Sequence, residues 1–230
     1  MSGHRDATPA GVNLVVDIDE TLLNPLPRWA ERVNRRFGWD IASSQVEPAG
    51  GWDNYLAAHP DYPAFSVFAD TLRADPEFNS GLDPIDGAVE ALTSLGDLPG
   101  VRVGCYLTTR PAPVAAATAA DLRRLGFPVA PVVARPESVD RARTVDWKTG
   151  ELERLLTTGP GQVIVIDDNL ALGRRLCERN AHAATPIVGI VFLGPLTHTE
   201  VRKRGIVSCP EHHFYVADWK ETVTIVKSYA

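Results

Sequence analysis

The chain has 230 residues, of which 44% are hydrophobic, and its 23 Lys+Arg against 29 Asp+Glu give a formal net charge of −6. That composition excludes a disordered chain, and the length suffices to bury a core without disulfides or a structural metal. The acidic balance excludes a protein that coats nucleic acid or anionic membrane by bulk charge. In chain order, the apolar run Asn13–Val16 predicts a short buried strand. Residues from about Leu22 to Leu82 then hold no strand–helix unit, but they contain Trp29, Trp39, Trp52, Tyr55, Tyr62 and the Pro-rich joint Asn24-Pro25-Leu26-Pro27. A segment of that length needs secondary structure of its own, so it is read as a small, mostly helical insert.

Alternation resumes after the insert. Helical spacing is found at Ala88–Leu95, Pro113–Leu125, Glu151–Leu156, Leu170–Arg179 and Trp219–Val226. Apolar, β-branched strand runs lie at Val101–Leu107, Val129–Val133, Val163–Ile166, Ile187–Phe192 and His213–Val216. Near-continuous apolar strands separated by helices predict an α/β fold, a doubly wound (Rossmann-like) parallel sheet covered on both faces.

The N-terminus is polar and lacks the apolar stretch of a signal peptide, and the longest apolar run, Ile187–Leu193, is too short to span a bilayer. Cys105, Cys177 and Cys209 are odd in number, widely spaced and contain no CxxC pair. The expectation is a reduced, cytoplasmic chain with no membrane partner. Arg202-Lys203-Arg204 is too short a basic run for a nucleic-acid-binding arm. His212 and His213 are adjacent, so on a strand they point to opposite faces and make an awkward metal pair.

Chemistry concentrates at predicted strand ends. Asp17-Ile18-Asp19-Glu20-Thr21 follows the first strand, and in an extended segment the two Asp side chains would share a side. Two close carboxylates are costly without a cation, which makes Mg²⁺ their natural companion. Asp167-Asp168 closes the strand Val163–Ile166, and both acidic ends would lie on one rim of a parallel sheet, where such sheets place their ligands. Thr108 and Thr109 end a third strand. Lys148 precedes the helix expected from about Gly150 to Leu156, where its ammonium can meet a phosphoryl oxygen.

This ordered set, Asp17-x-Asp19-x-Thr21, Thr108, Lys148 and Asp167-Asp168, resembles the haloacid dehalogenase (HAD) superfamily of phosphohydrolases. The resemblance implies a HAD-like core from residues 1–21 and 83–230, with residues 22–82 as a cap inserted after the first strand. It implies Asp17 as nucleophile, forming an aspartyl-phosphate, and Asp19 as the acid and then the base. It also implies Mg²⁺ on the Asp17 carboxylate, the Asp19 carbonyl and Asp168, with Asp167 close by. Thr108, Lys148 and, less centrally, Thr109 would bind phosphoryl oxygens. The second Asp of the first motif distinguishes phosphatases from dehalogenases, whose halide leaves without a proton.

The implied substrate is a small phosphorylated metabolite. Asp75-Pro76-Glu77-Phe78 and Leu82-Asp83-Pro84-Ile85-Asp86-Gly87-Ala88 are similar to the cap-to-core return of 5′(3′)-deoxyribonucleotidases, which suggests a nucleotide. Those enzymes usually carry Gly-Val where this chain has Glu20-Thr21. A sugar phosphate and a catalytically silent, ligand-binding protein of the same fold are the alternatives. Trp29 and Trp52 either stack on the leaving group or belong to the cap's own core, and Arg110 either contacts substrate or is a surface residue.

Overall fold

The computed structural model describes residues 11–46, 52–159, 161–192 and 212–230. Leu193, Cys209 and the run Arg202-Lys203-Arg204 lie outside them. Eight strands occur among the described residues: β1 (Val12–Val16), β2 (Leu23–Asn24), β3 (Asp83–Pro84), β4 (Val101–Pro111), β5 (Val132–Arg135), β6 (Gln162–Asp167), β7 (Val188–Phe192) and β8 (His213–Val216). Six of them form one parallel sheet in the order β5-β4-β1-β6-β7-β8. β1 lies near the middle, and the chain winds outward from it in both directions. The order reverses between β1 and β6, which places the ligand crevice of a doubly wound sheet beyond their carboxyl ends.

Side-chain alternation along β1 divides the core into two layers. Val12, Leu14 and Val16 join one cluster with Leu92 and Leu95 of α6 (Ala88–Gly96), Leu122 of α7 (Ala115–Arg124) and Trp219 and Val226 of α10 (Trp219–Lys227). Val15 faces the other way, among Leu152 of α8 (Thr144–Thr158) and Leu172 and Leu176 of α9 (Leu170–Asn180). All five β1 residues are buried, as the absence of polar alternation requires.

Two boundaries differ from the sequence pattern. β5 begins at Val132 rather than Val129: Pro131 has no N–H to give the ladder, and Val129 is left exposed. Helix α8 begins at Thr144, almost two turns before the expected Gly150, after a 3₁₀ turn at Arg141–Arg143. Asp140 caps that turn by accepting a hydrogen bond from the Ala142 N–H, and only one of its three residues has an apolar side chain to mark the helical entry.

Between β2 and β3 the chain forms α1 (Leu26–Phe37), α2 (Ser43–Val46), α3 (Trp52–Leu56), α4 (Tyr62–Ala74) and α5 (Pro76–Asn79). They enclose a separate apolar cluster that includes Trp29, Val33, Trp52, Leu56, Phe65 and Phe78. Both passages between this cluster and the sheet run side by side, because Leu23 pairs with Pro84 and Asn24 with Asp83 in an antiparallel β2–β3 ladder. The Ile85 N–H donates to the Leu22 carbonyl and extends the pairing.

His213 on β8 is buried, and neither ring nitrogen has a hydrogen-bond partner among the described residues. Its ring occupies space that only glycine leaves free. A Cβ on Gly189 would lie 2.6 Å from Nδ1, and one on Gly173 would lie 2.8 Å from Cε1. Burial lowers the His213 pKa from the usual 6.5 to about 4. The neutral ring is therefore favoured in the folded state. Stability from this residue is complete above pH 6.5 and falls as the pH drops from 6.5 towards 4, by about 3 kcal/mol at most. Urea unfolding at pH 7.5 and pH 4.5 should show this loss in the wild type and a smaller one in His213→Leu; equal losses would contradict it.

Candidate active site

Asp17 follows directly after β1, and its backbone N–H still donates to the Ile166 carbonyl of β6 at 2.9 Å. Beyond it the chain leaves the sheet. The Leu22 and Leu23 N–H groups both donate to the Ile18 carbonyl, Asp19 bridges to Leu23, and Glu20 has φ 61°. A left-handed, non-glycine residue makes this a tight turn rather than the extended segment read from the sequence. The carboxylates of Asp17 and Asp19 consequently reach different partners.

Asp17 joins Asp167 and Asp168 at the end of β6. One carboxylate oxygen from each lies within 4.8 Å of the others. Lys148 enters from α8, whose buried face carries Lys148, Thr149 and Leu152. Its Nζ donates to Asp17 Oδ1 at 2.8 Å and to Asp167 Oδ2 at 2.7 Å, with the side chain only 3% exposed. Lys148 thus lies in the second turn of a helix rather than ahead of one.

Three carboxylates share one ammonium here, and the charge balance is visible in their acidities. Burial pushes the Asp17 pKa up to about 7; Lys148 opposes that shift and Asp167 adds to it. Asp168 is raised well above the usual carboxylate range by burial, then by Glu20, Asp167 and Asp17. Burial also works against the Lys148 ammonium, but Asp167 and Asp17 outweigh it and hold its pKa above the ordinary lysine value. An all-oxygen cluster short of positive charge fits a hard divalent cation such as Mg²⁺.

The Asp19 carboxylate is turned away from this cluster towards Arg110, in keeping with the expectation that Asp19 offers a metal its backbone carbonyl rather than its side chain. Arg110 is no surface residue: only 3% of it is exposed. The two threonines also separate. β4 runs on to Pro111, so both lie within the strand. Thr108 is fully buried and its Oγ1 accepts from the Arg110 N–H at 3.2 Å, whereas Thr109 lines the cavity.

That cavity, of about 260 Å³, lies between the sheet rim and the helices of the insert. Asp17, Asp167, Asp168 and Lys148 lie on its sheet side, while Trp29, Trp52 and Phe78 line it from the insert. Trp29 packs edge-on against Phe78 and has the Arg73 guanidinium over its ring, 5.1 Å from the centroid. Trp52 contacts Tyr55 and Phe65. Trp39 stacks on Phe37, and Tyr62 lies beside Phe65, both away from the cavity lining.

Sequence reasoning missed an ionic cluster at the cavity wall. Arg73 and Arg141 converge on Asp53 Oδ2 at 2.8 and 2.6 Å, and each also reaches Asp70 Oδ1 at 3.3 Å. These partners lie on α3, α4 and the 3₁₀ turn, up to 88 residues apart, and no local motif joins them. Cys105 and Cys177 are buried, and burial raises the Cys105 thiol pKa to about 11, which removes it as a nucleophile at neutral pH.

No protein-family model matches the chain, and no curated protein matches it in sequence. Solved structures share its fold. One is a phosphonoacetaldehyde hydrolase-like protein from Oleispira antarctica, 13% identical, with a TM-score of 0.57 over 99% of this chain and 96% of that one. Another is a hydrolase from Pseudomonas syringae, 16% identical, with a TM-score of 0.52 over 95% of this chain and 99% of that one. At such identities the likeness is one of fold, and the doubly wound α/β fold implied by the HAD resemblance is the fold observed.

Proposed function

We propose that the chain is a Mg²⁺-dependent phosphatase that hydrolyses a small phosphomonoester through an aspartyl-phosphate on Asp17. One observation carries this reading: a buried carboxylate at the switch point of the sheet, salt-bridged to Lys148 and grouped with Asp167 and Asp168, at a cavity between the sheet rim and the insert. Asp17, Asp167 and Asp168 would hold the metal, which would neutralise charge on the phosphoryl oxygens.

The chain's own groups account for the remaining steps. An Asp17 oxygen attacks phosphorus as the bond to the leaving oxygen breaks, and Lys148 stabilises the charge spread over the phosphoryl oxygens. Asp19 gives a proton to the leaving oxygen. Water then attacks the same phosphorus, Asp19 takes a proton from it, and the acyl-phosphate bond breaks to release phosphate and restore Asp17. Thr109, on the cavity wall, would meet the transferring group, and the buried Thr108 would support the strand behind it.

The cavity is smaller than a drug-sized site, which favours a compact leaving group. Both cavity-facing Trp rings already pack against Phe78, Arg73, Tyr55 or Phe65, which argues against base stacking and for a sugar phosphate or similar metabolite over a nucleotide. The test is phosphate release with Mg²⁺ from sugar phosphates, nucleotides and p-nitrophenyl phosphate. Release is expected from at least one compact phosphomonoester, should stop on chelation with EDTA, and should return with Mg²⁺. Release that persists after exhaustive chelation would remove the metal from the mechanism. Ligand binding without release from any substrate would instead support the catalytically silent reading.

A further inference from the structure

We propose that Arg110 is a positioning residue that fixes the Asp19 carboxylate for proton transfer and ties it to the insert. The inference rests on the phosphatase reading above. The Arg110 side chain is 2% exposed, and its guanidinium makes four hydrogen bonds. Nε donates to Asp19 Oδ2 at 2.9 Å and Nη2 to Asp19 Oδ1 at 2.6 Å. Nη1 donates to the Asn79 carbonyl and to Thr118 Oγ1, each at 3.2 Å.

The paired Nε and Nη2 contacts grip both carboxylate oxygens in one plane, which a single-point lysine contact cannot do. They also fix Asp19 in direction. The Asp19 side chain remains 31% exposed and faces the cavity, on a turn that without Arg110 would leave it free to rotate. Proton transfer requires a donor within hydrogen-bond reach of the leaving oxygen, so the orientation of this carboxylate bears directly on rate.

The third and fourth bonds connect that orientation to the rest of the fold. Asn79 ends α5, the last helix of the insert, and its side-chain amide donates to the carbonyls of Leu72, Arg73 and Asp75. Thr118 lies on α7, which packs against the sheet. One buried guanidinium therefore joins the turn after β1, the final helix of the insert and a core helix. An insert seated over the cavity and an Asp19 aimed at the leaving group are two ends of the same hydrogen-bonded unit.

The role predicts dependence on the leaving group. A p-nitrophenolate departs with little need of a proton, whereas a phenolate, being more basic, needs one as the bond breaks. The experiment measures kcat/KM of the full-length protein with Mg²⁺ on p-nitrophenyl phosphate and on phenyl phosphate, for wild type, Arg110→Lys, Asp19→Asn and the double variant. Arg110→Lys keeps the charge and is expected to lose about 10-fold more activity on phenyl phosphate than on p-nitrophenyl phosphate, a part of the full effect of a general acid. Asp19→Asn should show the same bias more strongly, and the double variant should be no worse than Asp19→Asn alone.

Equal losses on both substrates, or a raised KM with kcat unchanged, would overturn the proposal, since a packing role or direct phosphate binding affects both alike. If Arg110→Lys lowers the unfolding temperature, the comparison between substrates still decides, because a smaller folded fraction scales both rates equally. A wild type that hydrolyses neither phosphate, nor any sugar phosphate or nucleotide, would overturn the phosphatase reading and this proposal together. Wild-type turnover with parallel losses would overturn this proposal alone.

Discussion

Asp17→Asn is expected to reduce phosphate release by at least about 10⁴-fold, the scale of losing a covalent nucleophile. The amide keeps the shape of the side chain but cannot form the acyl-phosphate. The fold should survive. Asp17 is buried with a pKa pushed up to about 7, so its charge is held at a cost that the neutral amide removes. Lys148 retains Asp167 as a partner. Thermal unfolding of Asp17→Asn should therefore occur at or slightly above the wild-type temperature, alongside the loss of turnover. Turnover within tenfold of wild type, in a preparation shown by mass to be free of wild-type protein, would remove Asp17 from the chemistry.

Lys148→Met is expected to do the opposite to stability. Its ammonium is the one cation within hydrogen-bond distance of Asp17 and Asp167 among the described residues. Removing it leaves buried carboxylates facing each other with no compensating charge, a change that typically costs about 3–5 kcal/mol. For a chain of this size that corresponds to an unfolding temperature lower by about 10 °C. Mg²⁺ should recover part of the loss, because a divalent cation among Asp17, Asp167 and Asp168 replaces the missing charge. Differential scanning calorimetry in EDTA and in Mg²⁺ checks both points. An unfolding temperature unchanged in EDTA would show that the cluster does not need Lys148, and a stability indifferent to Mg²⁺ would argue against metal among these carboxylates. Turnover should also fall, by about 10²-fold or more, as one stabiliser of the phosphoryl charge is lost.

The sheet was legible because its strands are runs of apolar, β-branched residues buried on both faces, and Asp17 and Asp167-Asp168 mark two of their carboxyl ends. The approximate place of the insert was legible from aromatic and proline content, although nothing local orders its helices. The direction of Asp19 was not legible. It depends on Glu20 adopting a left-handed conformation that sequence associates with glycine, and on a partner 91 residues away. Arg110 stayed open between a substrate contact and a surface residue for the same reason: a buried arginine declares itself only through what it bonds to across the fold. Lys148 was found as a residue but misplaced in its helix, because Gly150, which the sequence suggests as a helix boundary, lies inside α8. The Asp53, Arg73 and Arg141 cluster left no trace in the sequence, since ion pairs between distant helices impose no local spacing.

The two-residue β2–β3 ladder has a consequence for how such a chain can be built or rebuilt. Because Leu23 and Pro84 are paired neighbours, the chain leaves the sheet domain and returns to it at almost the same point. The entropic cost of closing such an insert grows only slowly with its length. The region from α1 to α5 is thus a cassette: another module with closely spaced termini could be spliced in at the ladder without moving β1 or β4. Chemistry at the sheet rim would carry over to a new module only if that module supplied again the carbonyl that Asn79 offers Arg110 and the carboxylate that Asp53 offers Arg141.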